Sequence, residues 1–202
     1  MPLNMPDPPA RTRDKTRSTL GVVAKGRGAG LQKLDAARVE DLELSTPHQV
    51  FVMGPDAAEA GSGLDRARPT GWRFLVESGG EVIASAESPE GPDQPEGAGA
   101  PSFSEGQIVA STAAAVKAAR ALPQLAHAGF ELRLLRIPAM YQNALWLHSS
   151  HADLLIPLEP SPIGDVGKVV PPPVFFRKLA EYARDWNPLG AQPHGNSGGD
   201  HN

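Results

Sequence analysis

The 202-residue sequence predicts the α+β class. The expected architecture is a mixed or mainly antiparallel sheet of about five strands, packed by one long helix and a C-terminal helix, with disordered termini. Three observations lead there. Gly79-Gly80 separates two apolar runs and can adopt the positive φ angles of a two-residue hairpin turn. Residues 102–122 carry Ile108, Thr112, Ala115, Val116, Ala119 and Leu122 at helical spacing. Strands cluster on both sides of that helix without strict βαβ alternation, which disfavours a doubly wound fold.

Taken in order, residues 1–30 are rich in Pro, Arg and Gly and read as a disordered basic tail. "LQKLDAARVEDLEL" (31–44) puts Leu31, Leu34 and Leu42 near one face and predicts a short helix. "HQVFVMG" (48–54) is a strand ending at Gly54-Pro55. Trp72, Phe74 and Val76 alternate with Arg73, Leu75 and Glu77, giving strands over 71–78 and 81–87. "ESPEGPDQPEGAGAP" (87–101) holds four Pro, three Gly and four acidic residues, too little apolar surface to order itself. It is expected as a mobile surface loop.

Ser102 and Glu105 fit a capping box for the long helix, and Pro123 ends it. "FELRLLRIP" (130–138) changes apolar phase at Leu134-Leu135, which a β-bulge would reconcile. Segments 143–148 and 153–158 are short strands apolar at consecutive positions, so both faces should be covered. Pro157 belongs at an edge or a strand end. A last helix over about 173–185 aligns Phe175, Leu179, Tyr182 and Trp186. The domain therefore spans 46–186, and 187–202 is a disordered C-terminal tail.

Composition removes several functions. The chain has no cysteine, which excludes disulfides, thiolate nucleophiles, Fe–S clusters and cysteine-ligated zinc. No apolar run reaches the length of a membrane span, and the N-terminus lacks the apolar core of a secretory signal. The expected location is cytoplasmic. Residues 1–33 carry seven basic and two acidic groups, a net of +5, so against the chain's −4 the remainder holds −9. Such a tail can touch nucleic acid. Without aromatics for stacking, a solvated tail is the better reading, and nucleic acid is disfavoured as a partner.

His148, Ser149, Ser150, His151 and Asp153 form the densest chemical cluster. A metal site needs a third and usually a fourth ligand, and His48 and His127 lie in unrelated elements. The strand-like flanks instead make Ser149–Ala152 a four-residue hairpin loop, where Ser and Asp bond nearby backbone. "GNSGG" (195–199) resembles the nucleophile segment of trypsin-like proteases, but three residues follow it and no second barrel can be built from them. It reads as a Gly/Ser linker. Glu87, Glu90, Asp93 and Glu96 lie in the acidic loop with nothing to position them as cation ligands. Arg133 and Arg136 on the bulged strand could share an anion, although an exposed polar strand face is favoured.

No residue is therefore assigned as catalytic, cofactor-binding or metal-ligating, and no cofactor is expected. The leading reading is a non-catalytic interaction or assembly module that binds another protein or its own copy. An exposed apolar edge at the Trp146 and Leu154–Leu158 hairpin supports it. The alternatives are an enzyme with an acid–base or metal site at His148, His151 and Asp153, and a nucleic-acid-associated protein using its basic tail. No membrane partner is expected. A small-molecule ligand is left open.

Overall fold

The computed structural model describes residues 3–26, 30–59, 63–90, 99–123 and 129–185. Among them, seven strands form one mixed sheet and five α-helices flank it. The strands are β1 (Leu42–Val52), β2 (Arg68–Ser78), β3 (Glu81–Pro89), β4 (Ser102–Ser104), β5 (Glu131–Ile137), β6 (Gln142–His148) and β7 (Asp153–Pro157). The helices are α1 (Ala10–Gly26), α2 (Gln32–Ala36), α3 (Pro55–Glu59), α4 (Gln107–Arg120) and α5 (Pro172–Asp185). The α+β class is as expected, with a larger sheet.

The strand order is β4-β3-β2-β1-β5-β6-β7. Every neighbouring pair is antiparallel except β1 and β5. A parallel pair needs a long crossover, and α4 lies on the connection from the edge strand β4 back to β5. Gly79 and Gly80 turn β2 into β3 with φ of 59° and 83°, the left-handed pair of a type I′ turn. Gly71 is required for a different reason. A Cβ there would meet the Ser88 carbonyl oxygen at 2.4 Å, so no larger residue fits between β2 and β3.

Three apolar clusters cover the two faces. On one face Val50, Leu132, Leu134, Leu145 and Leu147 pack against Ala115, Val116 and Ala119 of α4. On the other, Phe51, Leu135, Ile137, Trp146 and Leu155 pack against Phe175, Phe176 and Leu179 of α5. Further along that second face, Trp72, Phe74 and Val76 lie with Leu20 of α1 and Leu34 of α2. The second side of the β6–β7 hairpin is thus covered by α5 of the same chain.

Several expectations are corrected. Residues 3–26 are docked rather than disordered: Leu3 is buried in the α4-side cluster, Asn4 exchanges backbone hydrogen bonds with Phe130 (2.8 Å) and Leu132 (2.9 Å), and Ala10–Gly26 is helical. The buried stripe of α1 is Thr12, Thr16, Leu20 and Ala24. Half of it is threonine, so its helical period is hidden from hydropathy. Thr16 is satisfied inside by donating to the Thr12 carbonyl at 2.7 Å. The helix expected over 31–44 shrinks to α2 and a 3-10 turn, and β1 already begins at Leu42.

The capping box also fails. Ser102–Ser104 is strand β4, and α4 starts after Gly106. Glu105 instead accepts from the backbone N–H groups of Lys33 (3.2 Å) and Leu34 (2.9 Å), at the start of α2. β5 pairs continuously with β6, with no bulge at Leu134-Leu135. Because both faces of β5 are buried, the phase change only moves leucines from one core to the other. Glu87 is part of β3 rather than of an acidic loop. Residues 91–98, which hold Asp93 and Glu96, and residues 187–202 lie outside the described residues, as does Trp186.

The docked N-terminus is testable. Leu20→Ala should lower unfolding free energy by about 2–4 kcal/mol, the cost of truncating a buried leucine, as measured by urea denaturation. Leu179→Ala, under α5, should cost about 2–5 kcal/mol in the same assay.

Candidate functional site

The hairpin of the densest cluster forms as its residues suggest. Ser149 N–H donates to the Ala152 carbonyl at 3.0 Å, and the Ser149 hydroxyl donates to the same oxygen at 2.9 Å. His148 and Asp153 are cross-strand partners. His148 Nδ1 and Trp146 Nε1 both bond Asp153 Oδ1, at 2.8 and 2.7 Å. His151 sits exposed in the loop, tied by its backbone N–H to Ser149 Oγ at 3.3 Å. His148 and Asp153 are therefore brought together and no described bond joins His151 to them. Among the described residues no group of three His, Asp or Glu side chains is placed to hold a metal ion. His127 and the 195–199 segment lie outside the described residues.

The apolar edge expected at this hairpin is covered. Val170 exchanges two backbone hydrogen bonds with Leu155, at 2.7 and 2.9 Å, and Gly167 N–H donates to the Pro157 carbonyl at 3.0 Å. The opposite edge strand, β4, is only three residues long, which limits strand addition there.

Arg133 and Arg136 do not share an anion, because three residues apart on a regular strand they face opposite sides. Arg133 lies over both the Phe51 and Trp146 rings, at 4.9 and 4.8 Å from their centroids, and donates to Glu131 at 2.7 Å. Arg136 lies on the α4 face and grips both carboxylate oxygens of Glu87, one of them at 2.7 Å.

That α4 face carries a buried polar row which hydropathy does not flag. β1 holds an extra residue where Thr46 takes a φ of 48°, and the register shifts between Ser45 and His48. Pro47, which has no N–H to place in a ladder, falls within the bulge. The bulge sets His48 opposite Arg73. Arg73 is 1% exposed and donates to Ser85 Oγ at 3.0 Å, which bonds Ser104 Oγ at 2.9 Å. Arg73 also approaches Glu87 at 3.5 Å, but Arg136 already occupies that carboxylate. Burial first, then repulsion from Arg136, pull the Arg73 pKa down to about 10, against attraction from Glu87, so it stays charged at neutral pH.

His48 is fully buried, and its Nδ1–H donates to the Thr46 carbonyl at 2.7 Å. Burial, with the nearby Arg73 charge, holds its pKa down to about 3. The ring is neutral in the fold.

The third feature is the outer side of α4. Ala110, Ala114 and Ala118 are exposed there, four residues apart. A groove of about 540 Å³ runs on one side, lined by Leu75, Val82, Ala113, Lys117 and Arg120. A second, of about 410 Å³, runs on the other, lined by Gln107, Ser111, Glu159 and Val166. Ala114 belongs to both grooves.

The buried histidine makes acid stability a test of the polar row. A histidine held near 3 in the fold but free at 6.5 when unfolded binds more protons unfolded across that window. Stability therefore rises with pH through the window and falls as pH drops below about 6.5, by about 1.4 kcal/mol per pH unit. Comparing pH 6.5 with pH 5 avoids most carboxylate titration. His48→Asn, whose amide can keep the Thr46 bond, should show a flatter slope in denaturant melts over that range.

No family model, curated protein or solved structure matches this chain, so the functional reading starts from these three features.

Proposed function

We propose that the protein is a non-catalytic assembly module that pairs with a second copy of itself through α4. The observation that carries this reading is the exposed Ala110, Ala114 and Ala118 ridge between two grooves. Ridges at four-residue spacing pack into the grooves of a facing helix, and small side chains let the two axes come close. A two-fold pair requires a patch complementary to itself. Charge favours this occupant. Lys117 and Arg120 lie toward the C-terminal end of α4, while Gln107 and Glu159 lie at its N-terminal end, bonded to each other at 2.6 Å. An antiparallel pair sets the basic end of each helix beside the acidic end of the other.

The other two readings have less behind them. A general base held by a carboxylate is suggested by His148 and Asp153, but Ser149 Oγ is spent on the turn and His151 stands apart. For nucleic acid, four of the seven basic groups in residues 1–33 have partners within the chain: Arg11 with Glu90 (3.8 Å), Arg13 with Asp7 (3.6 Å), Lys15 with the Gly99 carbonyl (2.8 Å) and Lys33 with Glu81 (4.0 Å). Among the described residues no helix is long and apolar enough to cross a membrane.

Light scattering after size exclusion is the test. The full chain should run as a dimer at micromolar concentration. Ala114→Arg should give a monomer with unfolding free energy within about 0.5 kcal/mol of the parent, as for an exposed substitution. A parent that stays monomeric across the accessible concentration range refutes the proposal.

A further inference from the structure

We propose that the polar row under α4 is a binding site for a small oxyanion that carries a hydroxyl, of the hydrogenphosphate type, held by Arg73 and His48. The argument begins with charge. Arg73 and Arg136 are two guanidinium groups served by one carboxylate, Glu87. Arg136 takes both oxygens of Glu87 and leaves Arg73 with a long approach and one hydrogen bond, to Ser85. The cluster thus keeps one uncompensated positive charge on a side chain that is 1% exposed. Burying a charge without a full set of partners is strongly unfavourable.

Hydrogen-bond capacity points the same way. Arg73 Nε and NH1 are buried donors with no acceptor among the described residues. His48 Nε2 is a buried acceptor with no donor. Its role is fixed, because Nδ1 spends the ring's proton on the Thr46 carbonyl. His48 and Arg73 are directly opposed across β1 and β2 on one face, where facing Cβ atoms lie about 5 Å apart. Two donors bearing a charge beside one neutral acceptor match an anionic oxygen beside an O–H. A fully deprotonated tetrahedral anion satisfies the donors but faces the His48 lone pair with another lone pair. Water fills the hydrogen bonds but leaves the charge uncompensated. The cluster borders solvent at Glu87 and Arg136, which are 23% and 30% exposed.

Glu87 then acts as an internal competitor, and two substitutions in the same cluster should push binding in opposite directions. Glu87→Gln frees both guanidinium groups and should tighten the site at least tenfold. Arg136→Gln releases Glu87 to Arg73, neutralises the cluster and should weaken it at least tenfold. The probe is inorganic phosphate, titrated at pH 7.5 against sulfate and chloride at matched ionic strength, and followed by melting temperature and calorimetry. The expected result is a saturable stabilisation of the parent chain by phosphate, at least tenfold weaker with sulfate. No saturable effect beyond chloride overturns the proposal and leaves water as the occupant. Equal effects of sulfate and phosphate overturn it too, as does indifference to Arg136→Gln. Binding seen with Glu87→Gln alone would mark a site made by the substitution and would likewise overturn the proposal. If Glu87→Gln fails to fold, the parent and Arg136→Gln still decide.

Discussion

The fold depends on one constraint: β5 and β6 are apolar on both sides. Leu132 and Leu134 face α4, Leu135 and Ile137 face α5, and Leu145 and Leu147 oppose Ala144 and Trp146 in the same way. Each such side chain gains roughly 1.5–3 kcal/mol from burial, so neither face of this strand pair can be left wet. The pair must also lie inside a sheet, with both edges occupied. The strands β1 to β4 form a meander growing away from β1, which leaves the other edge of β1 open. β5 takes that edge in parallel, and the chain must cross the sheet to reach it. α4 makes the crossing and covers one face in the same stroke. The second face is shared between α5 and the α1–α2 pair.

The α4 face divides along its length. Under β5 to β7 it is mainly aliphatic, with Arg136 at the end of β5. Under β1 to β3 it holds Thr46, His48, Arg73 and Ser85, all buried. The helix answers that division with Thr112, buried and donating to its own Ile108 carbonyl at 2.6 Å. The bulge at Thr46 and Pro47 is what creates the arrangement. Without it, His48 would share a side with Leu44, which packs in the α1–α2 cluster. One extra residue sends the imidazole to the opposite face, beside Arg73.

The sequence made the period-two and period-3.6 segments legible. The Gly79-Gly80 hairpin, the Ser149–Ala152 turn, α4 and α5 lie within a few residues of where periodicity puts them, apart from the lost first turn of α4. The misses have separate physical causes. α1 hides its stripe because threonine can be buried when its hydroxyl bonds the preceding turn. The start of β1 looked helical because the bulge interrupts its alternation. Glu105 matched a local capping pattern, but its carboxylate is used by α2, more than seventy residues earlier in the chain. The buried row was the least visible. Arg73 alternates with Trp72 and Phe74 like any exposed strand arginine, and only the cover supplied by α4 makes it interior.

α4 lies between the alanine ridge and the polar row, and its composition shapes both. A helix laid close on a sheet needs small inward residues, and Ala115 and Ala119 provide them. The same bias continues around the helix, so the outward positions are alanine as well. A bulky outer face would make the helix an ordinary surface layer. An alanine ridge leaves backbone near the surface, with a groove on either side where long side chains would otherwise lie. The groove beside the β2–β3 hairpin is lined by Thr46 and Leu75, which lie two residues from His48 and Arg73, respectively, along their strands. α4 therefore has the alanine ridge on its outer side and the polar row beneath it.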